Sequence, residues 1–335
     1  MTGGLPYLDL RTYLQRRFGR RVQKIALDAG FTCPNRDGTV GWGGCLYCNA
    51  RGSGTGAWSR GLSLTAQLQA AREGLTRRYG PCAFIAYFQG FTNTYGPVER
   101  LRALYEEALA FPGVVGLSVG TRPDCVPDEV LKLLAGYADT HLVWLELGLQ
   151  SAHDATLRRL NRGHDVACFT EAVHRAAARG LEVVAHVILG LPGEGREEML
   201  ATARFVSRLP LQGVKLHLLY VVAGSGLARL YAAGDYTPLT EEEFVALAVD
   251  FLEELPPHLV IHRLTGDPHP LELVAPRWCL NKNRVLARLR QEFARRGSRQ
   301  GSRWPNSGAE NAPALLRSLA PPPAGGKAAP QDAAS

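Results

Sequence analysis

The sequence predicts an α/β fold, an open, partial (β/α)6 barrel, and three observations predict it. Six short, nearly continuous apolar runs punctuate residues 22–220. Patterns with helical spacing lie between them, and the alternation stops near Pro256. Runs of this kind are the mark of strands buried on both faces, as in a parallel sheet. Strands alternating with helices make βαβ crossovers, so each strand lies parallel to the next. Six such units suit an incompletely closed barrel, with a doubly wound open sheet as the alternative.

The strand candidates are VQKIALDA (22–29), AFIAYFQG (83–90), VVGLSVG (114–120), LVWLELG (142–148), EVVAHVILG (182–190) and VKLHLLY (214–220). Helical patterns cover 65–79, 97–110, 127–138, 167–180 and 194–209. The stretch EGREEMLATARFVSRL carries acids in its first turn and Arg208 in its last, as the helix dipole favours. The core is therefore placed at 22–256, preceded by a basic segment, 1–21. An irregular extension, 257–296, ends in a basic helix at 282–296 whose apolar stripe is Leu286, Leu289 and Phe293. Of the 39 residues from Gly297 onward, 25 are Gly, Ala, Ser or Pro, so 297–335 is expected to be a disordered tail.

Composition narrows the function classes. The chain has 335 residues, 46% hydrophobic and 21% charged, ordinary globular usage that is ample for a sizeable core. It holds no run of about 18 apolar residues and no apolar signal core near its start, so a cytoplasmic protein without a membrane span is expected. Seven cysteines, an odd number, argue against a disulfide framework and for metal ligation where they cluster. Cys82, Cys125, Cys168 and Cys279 are scattered and read as small buried apolar side chains. The net charge of +7 sits entirely in 282–335, which has 10 basic and 3 acidic residues, against 28 of each in 1–281. A second basic cluster, Arg11, Arg16, Arg17, Arg20, Arg21 and Lys24, contains no acid. These two segments, 11–24 and 282–296, fit an anionic partner such as RNA, or else a solvated face in an arginine-rich chain.

The strongest chemical signal is Cys33-x11-Cys45-x2-Cys48, directly after the first strand candidate. The intervening PNRDGTVGWGG is rich in Gly and polar turn residues, so it can wrap a bulky inorganic group. Three thiolates suit a soft metal or an iron–sulfur cluster. Structural zinc would want a fourth ligand nearby, and no other Cys or His lies between Ile25 and Phe84 apart from Cys82. A zinc loop borrowing a distant His is the alternative.

DAGFTCPNRDGTVGWGGCLYC, YFQGFTNTY, TRPDCVPDEVL, ELGLQSAHDATLRRLNRGHD, HVILGLPGE and RLTGD, in this order, together resemble the YhcC/YtqA-like radical S-adenosylmethionine (SAM) proteins. That family is related to the radical SAM domain of the elongator catalytic subunit. The resemblance spans about residues 5–290 and implies a partial (β/α)6 barrel with a [4Fe–4S] cluster at the strands' C-terminal end. It implies that Cys33, Cys45 and Cys48 bind three irons, the fourth chelating SAM. One electron would then release methionine and a 5′-deoxyadenosyl radical. An electron donor such as flavodoxin or ferredoxin is implied as a partner.

The remaining site assignments follow the same resemblance. YFQGFTNTY stands where these proteins place a polar turn against the methionine amino group. This chain lacks the usual Gly-Gly-Glu there and offers Gln89, Thr92 and Asn93, unless the segment is a plain Asx turn. Thr121 and Arg122 lie at a strand's C-terminal end, where barrels place functional groups; a structural turn before Pro123 is the alternative. Glu146 and Gln150 are assigned to SAM, and Arg162 to its carboxylate, with an Arg162–Asp165 helix-cap pair as the alternative. Gly190 would let backbone approach a flat adenine. His186 reads as a satisfied core residue. Some relatives are implicated in maturing wobble uridines of tRNA, so tRNA gripped by the two basic segments is the leading substrate. A peptide or small metabolite is the second reading and a non-catalytic metal-binding protein the third.

Overall fold

The computed structural model describes residues 4–52 and 55–305. All six apolar runs form strands: β1 (Val22–Leu27), β2 (Ala83–Phe88), β3 (Val114–Thr121), β4 (Leu142–Gln150), β5 (Glu182–Leu189) and β6 (Gly213–Leu218). They pair in parallel and in sequence order. A doubly wound sheet would reverse its order at a switch point, and this one does not. The sheet is therefore the open, partial barrel that the six apolar runs predict.

Helix α1 (Leu10–Phe18) precedes the sheet. Five expected helices follow in place, with others between them: α2 (Leu64–Tyr79), α3 (Val98–Leu109), α4 (Asp128–Ala138), α5 (Asp154–Arg159), α6 (Val166–Ala177), α7 (Arg196–Val206), α8 (Gly226–Ala233), α9 (Glu241–Glu253) and α10 (Lys282–Arg296). Side-chain caps fix several starts. Asp9, Ser63, Asp165 and Thr240 each accept a first-turn backbone N–H, for α1, α2, α6 and α9.

Strand alternation sorts the side chains into two populations. Outward residues such as Ile25, Phe84, Phe88, Leu117, Leu145, Leu147, Val183 and Val187 form the main core beneath the helices. Inward residues Val22, Ile85, Leu142, Trp144 and Val184 form a smaller core that α1 closes with Tyr13 and Leu14. The Trp144 indole donates to Glu182 Oε2 at 2.7 Å, and Arg17 meets Glu182 Oε1 at 2.5 Å. This apolar floor lies at the strands' N-terminal ends.

Two features of the C-terminal part differ from the sequence expectation. After the short β7 (Val221–Val222), which pairs antiparallel with β9 (Leu273–Ala275), strand β8 (Val260–Arg263) joins β6 as a seventh parallel strand. Its brevity and its polar His262 and Arg263 hid it in a segment that reads as irregular. The tail expected from Gly297 is ordered over its first nine residues. Residues 297–305 fold back on the barrel, where Gln300, 4% exposed, accepts from Leu8 N at 2.9 Å. Its amide donates to the carbonyls of Pro256 and Leu259 at 2.7 and 2.8 Å. A polar, glycine-containing segment needs little apolar burial when one glutamine satisfies three backbone groups. The rest of the expected tail, 306–335, lies outside the described residues.

Gln300→Ala should therefore strand three buried backbone groups and cost about 2–3 kcal/mol. Urea denaturation would show this as a lower midpoint at unchanged slope; an unchanged midpoint would mean the strap is dispensable.

Candidate active site

The Cys33–Cys48 segment follows β1 and is pinned from both sides. Cys33 O accepts Arg36 N at 2.8 Å, Asn35 O accepts Gly44 N at 2.8 Å, and Cys45 O accepts Cys48 N at 2.9 Å. The turn after α5 holds the loop from across the barrel. Asn161 donates to Gly44 O at 2.9 Å, Leu160 O accepts Leu46 N at 3.0 Å, and Asn35 donates to Asn161 O. Gly163, at φ +70°, sits where a Cβ would lie 2.6 Å from Val40, so only glycine lets the turn come this close.

Cys33, Cys45 and Cys48 line one cavity of 380 Å³ at the strands' C-terminal ends, and none of the other four cysteines does. No group of three His, Cys, Asp or Glu among the described residues is gathered as a site for a single metal ion. Donors point at the sulfur instead. Arg162 Nη1 lies 3.2 Å from Cys45 Sγ, and Asn35 Nδ2 3.7 Å from it. A hydrogen bond from Cys48 holds the Cys45 thiol well below its ordinary value against the effect of burial, and the Arg162 charge adds to this. The donor set fits an iron–sulfur cluster: three thiols from one glycine-rich loop, with a fixed cation on one of them.

The expected SAM contacts divide into two groups. Gln89, Thr121, Arg122, Glu146, Gln150 and Arg162 all line the cavity with the cysteines. Arg122 is 3% exposed and forks onto Asp124 at 2.9 and 2.7 Å, while its Nη1 is buried without a partner. Arg162 does not pair with Asp165, which caps α6; it spans Cys45, Tyr47, the Gly148 carbonyl and His164. Burial and the Arg162 charge push His164 down to about 3, so a neutral imidazole accepts from the guanidinium. Gln150 has φ +74° beside a register shift in the β4–β5 pairing. A left-handed glutamine is a strained conformation that packing must impose, and Gly148 allows it, since a Cβ there would stand 2.6 Å from the Gln150 amide.

Asn93 and Gly190 do not line the cavity. Asn93 is fully buried, donates to Gly120 O at 2.7 Å and accepts Tyr105 OH on its carbonyl at 2.6 Å. It ties the β2 loop to β3. Gly190, at φ +85°, packs against Leu239 and accepts Tyr236 OH at 2.9 Å. Its close approach serves a side chain of the protein itself. Thr121 faces the cavity, but its hydroxyl is bonded to Thr94 Oγ1 at 2.5 Å.

Beneath the cysteines lies a polar layer in the barrel interior. Glu146, fully buried, meets Lys24 Nζ at 2.5 Å, Lys215 Nζ at 2.8 Å, His186 Nε2 at 2.6 Å and the Ser118 hydroxyl. Lys215 also donates to Tyr87 OH at 2.6 Å. Burial opposes ionisation of Glu146, but Lys215, Lys24 and His186 hold its carboxyl well below the usual range. Burial pushes Lys215 down to about 7 and His186 to about 4. Both Glu146 oxygens thus meet side chains of the barrel, where the carboxylate neutralises the lysines.

Comparison with known proteins identifies the framework. The Radical SAM superfamily model matches residues 33–206, and the Radical SAM C-terminal domain model matches 211–295. The chain belongs to the radical SAM superfamily. It is 44% identical over 296 residues to YtqA of Bacillus subtilis, covering 88% of this chain and 92% of that protein. It is 43% identical over 297 residues to YhcC of Escherichia coli, covering 87% and 94%. The solved structure of Elp3 from Methanocaldococcus infernus superposes with a TM-score of 0.65 at 19% identity, covering 83% of this chain and 64% of that one. The chain is a radical SAM enzyme, and membership implies SAM and a [4Fe–4S] cluster as cofactors. No helix among the described residues is long and apolar enough to cross a membrane.

The basic segments of this radical SAM chain do not frame the cavity. None of their basic residues lines it. Arg16 and Arg17 border a different cavity, of 1120 Å³, at the strands' N-terminal ends. Lys24 is inside the barrel on Glu146. In α10, Arg284, Arg288 and Arg296 pair with Glu241, Glu242, Asp250 and Glu253 of α9. A sum of charges along the sequence hides such pairing. The polar layer was legible only through parity: Lys24, Tyr87, Ser118, Glu146, His186 and Lys215 all fall on inward strand positions. His186, read as a core residue, belongs to this layer and lines the cavity.

Glu146→Ala would leave two buried ammonium groups without a counter-charge, costing about 3–5 kcal/mol in urea denaturation. Adding Lys24→Met and Lys215→Met removes the stranded cations and should return most of that loss. A single variant as stable as the parent would show that water already compensates the layer.

Proposed function

We propose that Cys33, Cys45 and Cys48 hold a [4Fe–4S] cluster and that the cavity beside them binds SAM and cleaves it reductively. The observation that carries this reading is the convergence of these three cysteines, out of seven, on one polar cavity at the end of the barrel where such folds build sites. A bound cluster would supply the single electron that splits the sulfonium C–S bond. The chain's own residues supply binding, orientation and exclusion of water. Arg162 places a fixed cation beside the Cys45 sulfur. Arg122, with one buried N–H unused, is the donor we assign to the methionine carboxylate. Gln89 and Gln150 face the same space and are assigned to the polar groups of SAM. The layer of Tyr87, Glu146 and Lys215 closes the cavity from below.

For the substrate, the geometry favours a peptide or small metabolite. None of the arginines expected to grip phosphates lines the cavity. A wobble-uridine side chain of tRNA is the second reading, favoured by the relation to the elongator catalytic subunit.

Anaerobically purified protein should be brown, carry about four irons per chain, and with SAM and dithionite release methionine and 5′-deoxyadenosine. Cys45→Ala should lose both iron and cleavage, whereas Cys82→Ala and Cys168→Ala should keep both; iron retained in Cys45→Ala would defeat the assignment. Arg122→Lys should weaken SAM binding about tenfold, roughly 1.4 kcal/mol, at unchanged iron content. Titration with tRNA decides between the substrates. An affinity that falls by about 0.7–0.9 log units per tenfold salt for each phosphate contacted supports the second reading, and absence of binding at low salt supports the first.

A further inference from the structure

The polar layer contains more than charge neutralisation requires. The chain has 33 arginines and only five lysines, Lys24, Lys132, Lys215, Lys282 and Lys327. Where it needs a buried cation it uses arginine, as at Arg122 and Arg162. Yet two of its five lysines are placed together inside the barrel, on either side of Glu146. Arginine cannot lose its proton in a protein, whereas a buried lysine can. The residue choice therefore selects an amine at this spot.

The two lysines are not equivalent. Lys24 lies behind Glu146, close to the Trp144 and Tyr87 rings, and does not border the cavity. Lys215 is 4% exposed, and it does border the cavity, as do its two partners, Tyr87 and Glu146. Its neighbours are those an amine nucleophile needs: a carboxylate at 2.8 Å and a phenol at 2.6 Å, the phenol able to pass a proton to or from an oxygen bound at the nitrogen.

We propose that Lys215 captures a carbonyl substrate, an aldehyde or ketone, as an imine in the cavity that also serves SAM. The step balances without a co-reactant: the carbonyl compound and the Lys215 ammonium give a protonated imine on the Lys215 nitrogen and one water. Lys215 first releases a proton to solvent through the cavity. The free nitrogen pair forms the C–N bond as the carbonyl π pair moves to oxygen, which takes a proton from Tyr87. Loss of that oxygen as water, with the second proton coming from solvent and the phenol restored from the nitrogen, leaves the iminium, which Glu146 faces as a counter-charge. The C–H bonds beside the former carbonyl carbon are then tethered at the cavity wall. Burial, with Lys24 and Arg263 nearby, brings the Lys215 ammonium to about 7 against the pull of Glu146, so the free amine is available near neutrality. His186 and His217 at the same wall, and His262 behind it on β8, are held neutral by burial.

This inference deepens the small-substrate reading and rests on it, but its test needs neither SAM nor an electron. The anaerobically purified protein is incubated with pyruvate, and separately with propanal, in the presence of sodium cyanoborohydride, then digested and mapped by mass spectrometry. The reduced adduct should appear on Lys215 with either probe, at least about tenfold above Lys132 or Lys282, and should increase from about pH 6 to about pH 8, where an ordinary lysine stays protonated. In Lys215→Arg the adduct at that position is lost while labelling of the surface lysines is unchanged. No adduct, an adduct on Lys24 instead, or labelling of Lys132 and Lys282 alone would overturn the proposal. SAM cleavage measured on the same preparation shows separately whether the radical reading stands.

Discussion

One buried carboxylate, Glu146, is the point on which this barrel depends. A carboxylate with no solvent access carries a desolvation cost of several kcal/mol, which only close counter-charges and hydrogen bonds can offset. With its direct partners it spans five strands: Lys24 on β1, Ser118 on β3, Glu146 itself on β4, His186 on β5 and Lys215 on β6. Tyr87 of β2 joins through Lys215. Each contact requires its strand to present an inward residue at one height, so the layer fixes strand register from β1 to β6. A slip of one residue would turn every one of these polar groups into the helix-facing core.

The same alternation stacks three environments along the barrel axis. The floor is apolar and sealed by α1, with Glu182 anchoring Trp144 and Arg17. The charged layer comes next, then a rim with Gly120 and Gly148, where small residues leave room for the cavity. On β4 this reads as Trp144, Glu146, Gly148 and Gln150, a bulky plug, a charge, a gap and a polar contact at successive inward positions. A radical intermediate is quenched by stray hydrogen donors and water, so a sealed floor with a rigid ionic layer above it suits such chemistry.

The sequence made some of this legible and hid the rest for identifiable reasons. The six strands announced themselves because a parallel sheet covered by helices leaves long apolar runs, and Cys33, Cys45 and Cys48 because spacing is local. Asn93 and Gly190 stand off the cavity, and residue type and position at a strand end do not reveal whether a group faces the cavity or the next loop. The arginines of α10 looked like a free positive surface because their partners, Glu241, Glu242, Asp250 and Glu253, lie some 40 residues earlier. Strand β8 was missed because four residues with two polar side chains give too short a period to detect. Long-range pairing and facing are set by tertiary structure, and these are what a single chain read linearly conceals.

The strained Gln150 links the layer to the rim. Its left-handed backbone follows the irregularity where β4 and β5 lose register, between Gly148 and Gln150. Below that point β4 is tied to β5 by Glu146 and His186; above it, the Gly148 carbonyl is held by Arg162, which also reaches Cys45. The strand is therefore clamped on both sides of the distortion, by a carboxylate beneath and a guanidinium above. Such a conformation persists only where the surroundings over-determine it. The two clamps do so, and they hold the Gln150 side chain over the cavity.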